Sequence, residues 1–293
     1  MKNLIIRTIT GVIFVAAIVA SFLRPEAMVL LFSIVTGMTI WEFTGLVNDE
    51  CEQVCVNRFI TTVAGVYFFF AMTYFCSDLY GGAAKSVVFI PYLVTIIYLI
   101  VSELYLRQVN PINDWAYTML SQMYIALPFS LLNVLAFNAT PEGTVVFNSV
   151  LPLSVFIFLW VNDTGASCTG SLLGHHKLFP RISPGKSWEG SIGGAIFVLA
   201  AAYAIGYYDN TLILDGDNTG RGMLSLPAWL GLGLVVVVFG TWGDLVESLF
   251  KRTLGIKDSG NILPGHGGML DRFDSSLMAI PAAVVYLYTL SMF

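Results

Sequence analysis

Between Asp244 and Asp274 the chain crowds together residue types that can do chemistry. Asp244, Glu247, Ser248, Lys251 and Arg252 come first, then Lys257 and Asp258, then Asp271, Arg272 and Asp274. Carboxylates suit a hard cation, and lysine and arginine suit phosphate oxygens. Between the two groups lie Gly260, Pro264, Gly265, His266, Gly267 and Gly268. Such a loop lets bare backbone approach a ligand and offers N–H groups to phosphate. Cation ligands and phosphate ligands in one stretch describe a metal–polyphosphate site. His266 has two readings, a loop hydrogen-bonding residue or a direct contact to substrate phosphate. Asp244, Glu247, Ser248 and Lys251 share one face if a helix continues through them. The bland alternative for that face is a helix end solvated by headgroup water.

A second polar stretch covers 160–190. Asn162 and Asp163 close an apolar run, where polar pairs need a partner. Ser183-Pro184-Gly185-Lys186-Ser187 is not a P-loop, because residue 180 is Pro where that motif needs Gly. As a turn it can still present Lys186 and the Ser187 hydroxyl to phosphate, with Trp188 at the interface. His175 and His176 lack metal-ligand spacing and are expected at the surface.

The elements that must position these residues are set by composition. Of 293 residues 56% are hydrophobic and 11% charged, against about a quarter charged in an ordinary soluble domain. The mean hydropathy is +0.77. A soluble enzyme, a disordered chain and a basic nucleic-acid binder are excluded on that balance, and the net charge of −5 offers nucleic acid no basic face. Apolar runs fall near 4–23, 27–46, 59–76, 86–106, 114–137, 147–162, 191–208, 227–243 and 275–293. Each must be helical, because lipid offers no partner to a free backbone group. The expectation is an all-α polytopic membrane protein of about nine spans, with the sixth run short and its inner end in protein or water. It divides into N-terminal spans, 1–146, and a catalytic region, 147–293, with loops 163–190 and 244–274. The N-terminal run is expected to be a retained first span, since no cleavage site is clearly followed by a soluble domain. Cys51 and Cys55 make a poor zinc site, Cys76 and Cys168 are expected as small apolar fillers, and no disulfide framework is expected.

Orientation follows from lysine and arginine. With the N-terminus in the cytoplasm, 11 of the 14 fall in inside segments and 3 (Arg24, Lys85, Arg221) outside. Both polar stretches then face the cytoplasm.

The run from Ser248 through Lys251-Arg252, Lys257-Asp258, Gly260, Leu263-Pro264, His266-Gly267-Gly268-Met269 and Asp271-Arg272-Phe273-Asp274 resembles the signature of the phosphatidate cytidylyltransferases, or CDP-diacylglycerol synthases. Asn162-Asp163 and Ser183-Pro184-Gly185-Lys186-Ser187-Trp188-Glu189-Gly190 resemble a second patch of that family. Cys168 departs from it where an aromatic residue is expected, and Ser187 keeps the hydroxyl where Thr is common. The resemblance implies transfer of the cytidylyl group of CTP to phosphatidic acid, releasing pyrophosphate. It implies a two-metal centre with Mg2+ and, as candidate second ion, K+. Asp244 and Asp271 are the expected main ligands, with Asp274, Asp258 and Asp163 in support. They lie 27 positions apart and can meet only if the Gly/Pro loop folds back across the helix end. Lys251, Lys257 and Arg272 are expected on phosphates. Lys186, Ser187, Ser248, His266, Gly267, Gly268 and Asn162 are expected to bind substrate or order the site. The resemblance also implies a homodimer. A bacterial inner membrane is expected, because no long hydrophilic tail precedes the first span. A CTP-dependent polyprenol or lipid kinase, a transporter and a purely structural membrane protein are the rival readings.

Overall fold

The computed structural model describes residues 2–77, 85–106, 108–139, 144–212, 224–260 and 267–291. Its helices are α1 (Lys2–Ser21), α2 (Pro25–Glu50), α3 (Arg58–Cys76), α4 (Ile90–Leu106), α5 (Pro111–Ser121), α6 (Leu127–Ala136), α7 (Val150–Leu173), α8 (Trp188–Leu212), α9 (Leu226–Thr253) and α10 (Leu270–Ser291). A π-helical turn, Gln122–Ala126, joins α5 to α6. It sits just before Pro128, whose ring and missing N–H disfavour regular α-helical bonding. Two short antiparallel ribbons qualify the all-helical expectation: β1 (Phe137–Ala139) with β2 (Val145–Phe147), and β3 (Lys177–Phe179) with β4 (Ser183–Ser187). Among the described residues, eight helices are long and apolar enough to cross a membrane, while Thr8–Ser21 of α1 is shorter. The protein is a polytopic membrane protein. All four cysteines are free.

Helix α7 does not stop at Asn162 but runs on to Leu173. Its second half is built of small residues, Gly165, Ala166, Ser167, Thr169 and Gly170, which let another helix come close. Thr169 Oγ1 donates back to the Gly165 carbonyl at 2.8 Å, so its hydroxyl is satisfied within the helix. Helix α9 likewise continues through Asp244 to Thr253, and α10 begins before Asp271. The two expected loops therefore shrink to the segments between Leu173 and Trp188 and between Thr253 and Leu270.

The chain forms two compact units, Met1–Leu151 with Lys251–Phe273, and Pro152–Phe250 with Asp274–Phe293. In the first unit α2 and α3 pack closely. A Cβ on Gly65 of α3 would strike Ile40 Cδ1 of α2 and stand 3.2 Å from the Ala126 Cβ. Two polar contacts tie helices of this bundle together. Gln122 Nε2 donates to the Thr61 carbonyl at 3.0 Å, and Thr73 Oγ1 donates to Asn133 Oδ1 at 2.9 Å. Helix α4 buries only Leu99 and Glu103, so its apolar residues suit lipid. Phe273 packs against Phe14, Phe32 and Phe129, with centroids 5.4, 6.3 and 5.3 Å away. Those rings fix the segment that carries Asp271 and Arg272.

In the second unit small residues again set the spacing. A Cβ on Gly240 of α9 would strike Leu159 of α7. One on Gly243 would lie 2.7 Å from the Asp274 carbonyl and 3.0 Å from the Ser275 Cα, a backbone that cannot yield.

Gly65→Val is expected to destabilise the first unit by about 1–3 kcal/mol, because its added carbons would displace the buried Ile40 side chain and crowd the Ala126 Cβ. Thermal unfolding in detergent, followed by tryptophan fluorescence, measures it. An unchanged midpoint would show that α2 and α3 are not closely packed there.

Candidate functional site

The charged residues form one cluster within each unit. In the second unit, Gly243 brings the α9 backbone against α10 at Asp274–Ser275, so its neighbour Asp244 lies close to Asp274. Asp244 Oδ2 pairs with Lys186 Nζ at 2.5 Å, and Asp244 Oδ1 accepts from Ser248 Oγ at 3.1 Å. Asp274 has Asp244 and Asp163 as like-charged neighbours and Lys186 as its cationic one. Asp274 thus lies within electrostatic reach of two other carboxylates and one lysine. Asn162 is buried, and its Oδ1 has no hydrogen-bond partner. A side chain at Gly194 of α8 would put its Cβ 2.5 Å from that oxygen.

Lys186 is carried by the β3–β4 ribbon rather than by an open turn. The ribbon is joined to α8 by a hydrogen bond from Trp188 N to the His176 carbonyl, 2.9 Å. Glu189 at the start of α8 accepts from the His176 backbone N at 3.2 Å and lies 2.6 Å from His176 Nδ1. Ser187 is buried, and its Oγ accepts from Gly190 N at 3.2 Å, so it caps α8.

In the first unit, Asp271 gathers the segment before α10. Its Oδ1 accepts from Lys251 Nζ at 2.7 Å, and its Oδ2 accepts from Ser259 N and Gly268 N, both at 2.9 Å. Its side chain is 6% exposed, and three donors already occupy its oxygens. Oδ1, with Lys251 as its donor, keeps a lone pair that could face a cation. Gly267 has a φ of +84°, which disfavours any side chain, and a Cβ there would lie 2.6 Å from Asp271 Oδ2. Lys257, Asp258 and Arg272 are exposed. His266, Pro264 and Gly265 lie outside the described residues.

The first backbone N–H groups around the start of α10 are engaged within the protein. Gly268 N donates to Asp271, Met269 N and Leu270 N donate to Glu42 at 2.8 and 3.1 Å, and Asp271 N donates to Ser259 Oγ at 3.3 Å. Glu42, on α2, escaped the sequence reading. Its signal was present: a lone carboxylate inside an apolar run is by default a candidate functional residue.

The donors around Asp274 are all oxygens, the chemistry that suits Mg2+. Among the described residues no three His, Cys, Asp or Glu side chains form a ready-made metal cage. Mg2+ commonly takes one or two carboxylates and completes its shell with water and substrate phosphate, so the donor set fits a nucleotide-bound ion.

The chain is 34% identical over 302 residues to a phosphatidate cytidylyltransferase of Haemophilus influenzae, spanning 94% of this chain and 95% of that protein. It is 40% identical over 172 residues to one of Staphylococcus aureus, and 39% identical over 170 residues to one of Staphylococcus haemolyticus, each match covering 57% of both chains. Residues 5–290 match the cytidylyltransferase family, and over nearly its whole length the chain belongs to that family.

Proposed function

We propose that the chain is a phosphatidate cytidylyltransferase, a nucleotidyltransferase that joins CTP to phosphatidic acid, giving CDP-diacylglycerol and pyrophosphate. The end-to-end similarity to the Haemophilus protein of that name carries this reading, and the chemistry of the two clusters supports it. A lipid phosphate oxygen attacks the α-phosphorus of CTP in line. Such a transfer needs alignment and charge neutralisation more than a nucleophilic side chain. A phosphate monoester is already anionic near neutral pH, so no general base is required.

Asp244, Asp274 and Asp163, with the Asn162 amide oxygen, are the residues that would hold Mg2+, and K+ is the candidate second ion. Bound there, Mg2+ would neutralise triphosphate oxygens and ease the departure of pyrophosphate. Lys186 exchanges its carboxylate partner for a substrate phosphate. Lys257 and Arg272 offer exposed cations to phosphate, with Asp258 beside them and His266 as a further contact. Lys251 is held in place by Asp271, which orders this segment and is a further candidate ligand for the cation, with Asp258 in support. Ser248 orients the Asp244 carboxylate. Ser187, Gly267 and Gly268 shape the backbone around these groups. The site works at the cytoplasmic face of a bacterial inner membrane, and the protein acts as a homodimer.

CTP labelled at the α- or the γ-phosphate, given to purified protein with phosphatidate and Mg2+, tests the reaction. The α-label is expected in the lipid and the γ-label in pyrophosphate. γ-Label in the lipid with release of CDP would instead establish a lipid kinase.

Asp244→Asn keeps shape and removes charge. It is expected to lower turnover by about 10²-fold or more, since charge stabilisation at the leaving phosphate is worth several kcal/mol. Activity close to wild type would move the cation site away from Asp244.

Lys186→Met is expected to raise KM or lower kcat by at least about tenfold, the worth of one charge-assisted phosphate contact. Unaltered kinetics would make Lys186 a surface residue that only pairs with Asp244.

For topology, Lys177→Cys and Arg252→Cys, each on a background without Cys51, Cys55, Cys76 and Cys168, should react with impermeant thiol reagents only after the cell is opened. Labelling of either one in intact cells would overturn the cytoplasmic assignment.

A further inference from the structure

Glu42 lies eight residues before the end of α2, about 12 Å along the helix axis. It is 7% exposed. A carboxylate at such a depth is costly unless it is bonded. Its bonds all go to residues that flank the Gly/Pro loop, more than two hundred positions later. Glu42 Oε1 accepts from Ser259 Oγ at 2.5 Å and from Leu270 N at 3.1 Å, and Oε2 accepts from Met269 N at 2.8 Å. It therefore caps the positive end of α10 from another helix, while Ser259 ties the far side of the loop to the same oxygen.

The backbone is fitted to this carboxylate. A Cβ at Gly260 would lie 2.9 Å from Glu42 Oε2, and one at Gly268 would strike both Glu42 Oε1 and Ser259 Oγ. Glycine at these positions serves the approach of Glu42. The N–H groups of residues 268–271 are all donated to Glu42, Asp271 or Ser259. The side chains on either side, Lys257 and Arg272, are exposed and can meet a phosphate.

We propose that Glu42 is a positioning residue for nucleotide binding: it closes the N-terminus of α10 and sets the backbone from which Lys257 and Arg272 reach phosphate. The proposal rests on the CTP-using reading above. Glu42 does not touch substrate.

Glu42→Gln keeps the volume but turns an amide NH2 towards donors. Its apparent KM for CTP should rise at least about tenfold while kcat stays within about threefold, the mark of lost ground-state binding. Ser259→Ala should act in the same direction. Gly268→Ala should reproduce the effect, and Gly268→Ala combined with Glu42→Ala should be no worse than the poorer single variant, because both break one contact. Multiplying effects in the double variant, or a wild-type KM in folded Glu42→Gln, would overturn the proposal. Hydrogen exchange provides a readout that needs no substrate. The Met269 and Leu270 amides should exchange faster in Glu42→Gln, while those of Gly268 and Asp271 change less. Unchanged exchange at Met269 and Leu270 would overturn the positioning role whatever the reaction is. Faster exchange in a protein whose wild type transfers no cytidylyl group would instead place the failure in the functional reading.

Discussion

A carboxylate inside an apolar helix bundle has no water to solvate it, so it must be met by donors that the fold supplies. In the first unit this constraint organises everything around the Gly/Pro loop. Glu42 reaches from α2 to the first amides of α10, and Asp271 turns back to bond Gly268, Ser259 and Lys251. The two acids satisfy the donors that a helix N-terminus leaves open. In return the helix end satisfies the acids. Phe273, set among Phe14, Phe32 and Phe129, holds the same turn by apolar packing. Charge and packing fix one short segment from opposite sides.

In the second unit the same constraint takes another form. Lys186 pairs with Asp244, and Asp274 has Asp244 and Asp163 as like-charged neighbours. Oxygen donors grouped in this way have the chemistry that suits a hard cation. Small residues make this grouping feasible. Gly243 lets backbone meet backbone between α9 and α10, and the small residues of α7 and α8 allow a similar approach beside Asn162. In lipid, where apolar side chains gain little by leaving their solvent, such close contact is a main source of helix association.

Hydropathy runs reveal the spans because lipid enforces one rule on every backbone group, and among the described residues each of the nine apolar runs is mainly helical. Helix ends are less legible. Asn162 and Asp163 look like a terminus, yet α7 continues because its small residues pack against α8 rather than face lipid. The face of Asp244, Ser248 and Lys251 was legible because α9 continues through it. Glu42 was not, since its meaning depends on partners more than two hundred residues away. Of the loop glycines, Gly268 gives its amide to the nearby Asp271. Local sequence does not show that a distant carboxylate takes the Met269 and Leu270 amides.

Chemically, the account assigns the protein a role of alignment and charge, with no side chain acting as nucleophile. The stereochemistry at the transferred phosphorus tests that claim most directly. CTP carrying a chiral α-phosphorothioate should yield CDP-diacylglycerol inverted at phosphorus, as a single in-line displacement by the lipid phosphate demands. Retention would show two displacements through a covalent nucleotidyl-protein intermediate, and would contradict the account.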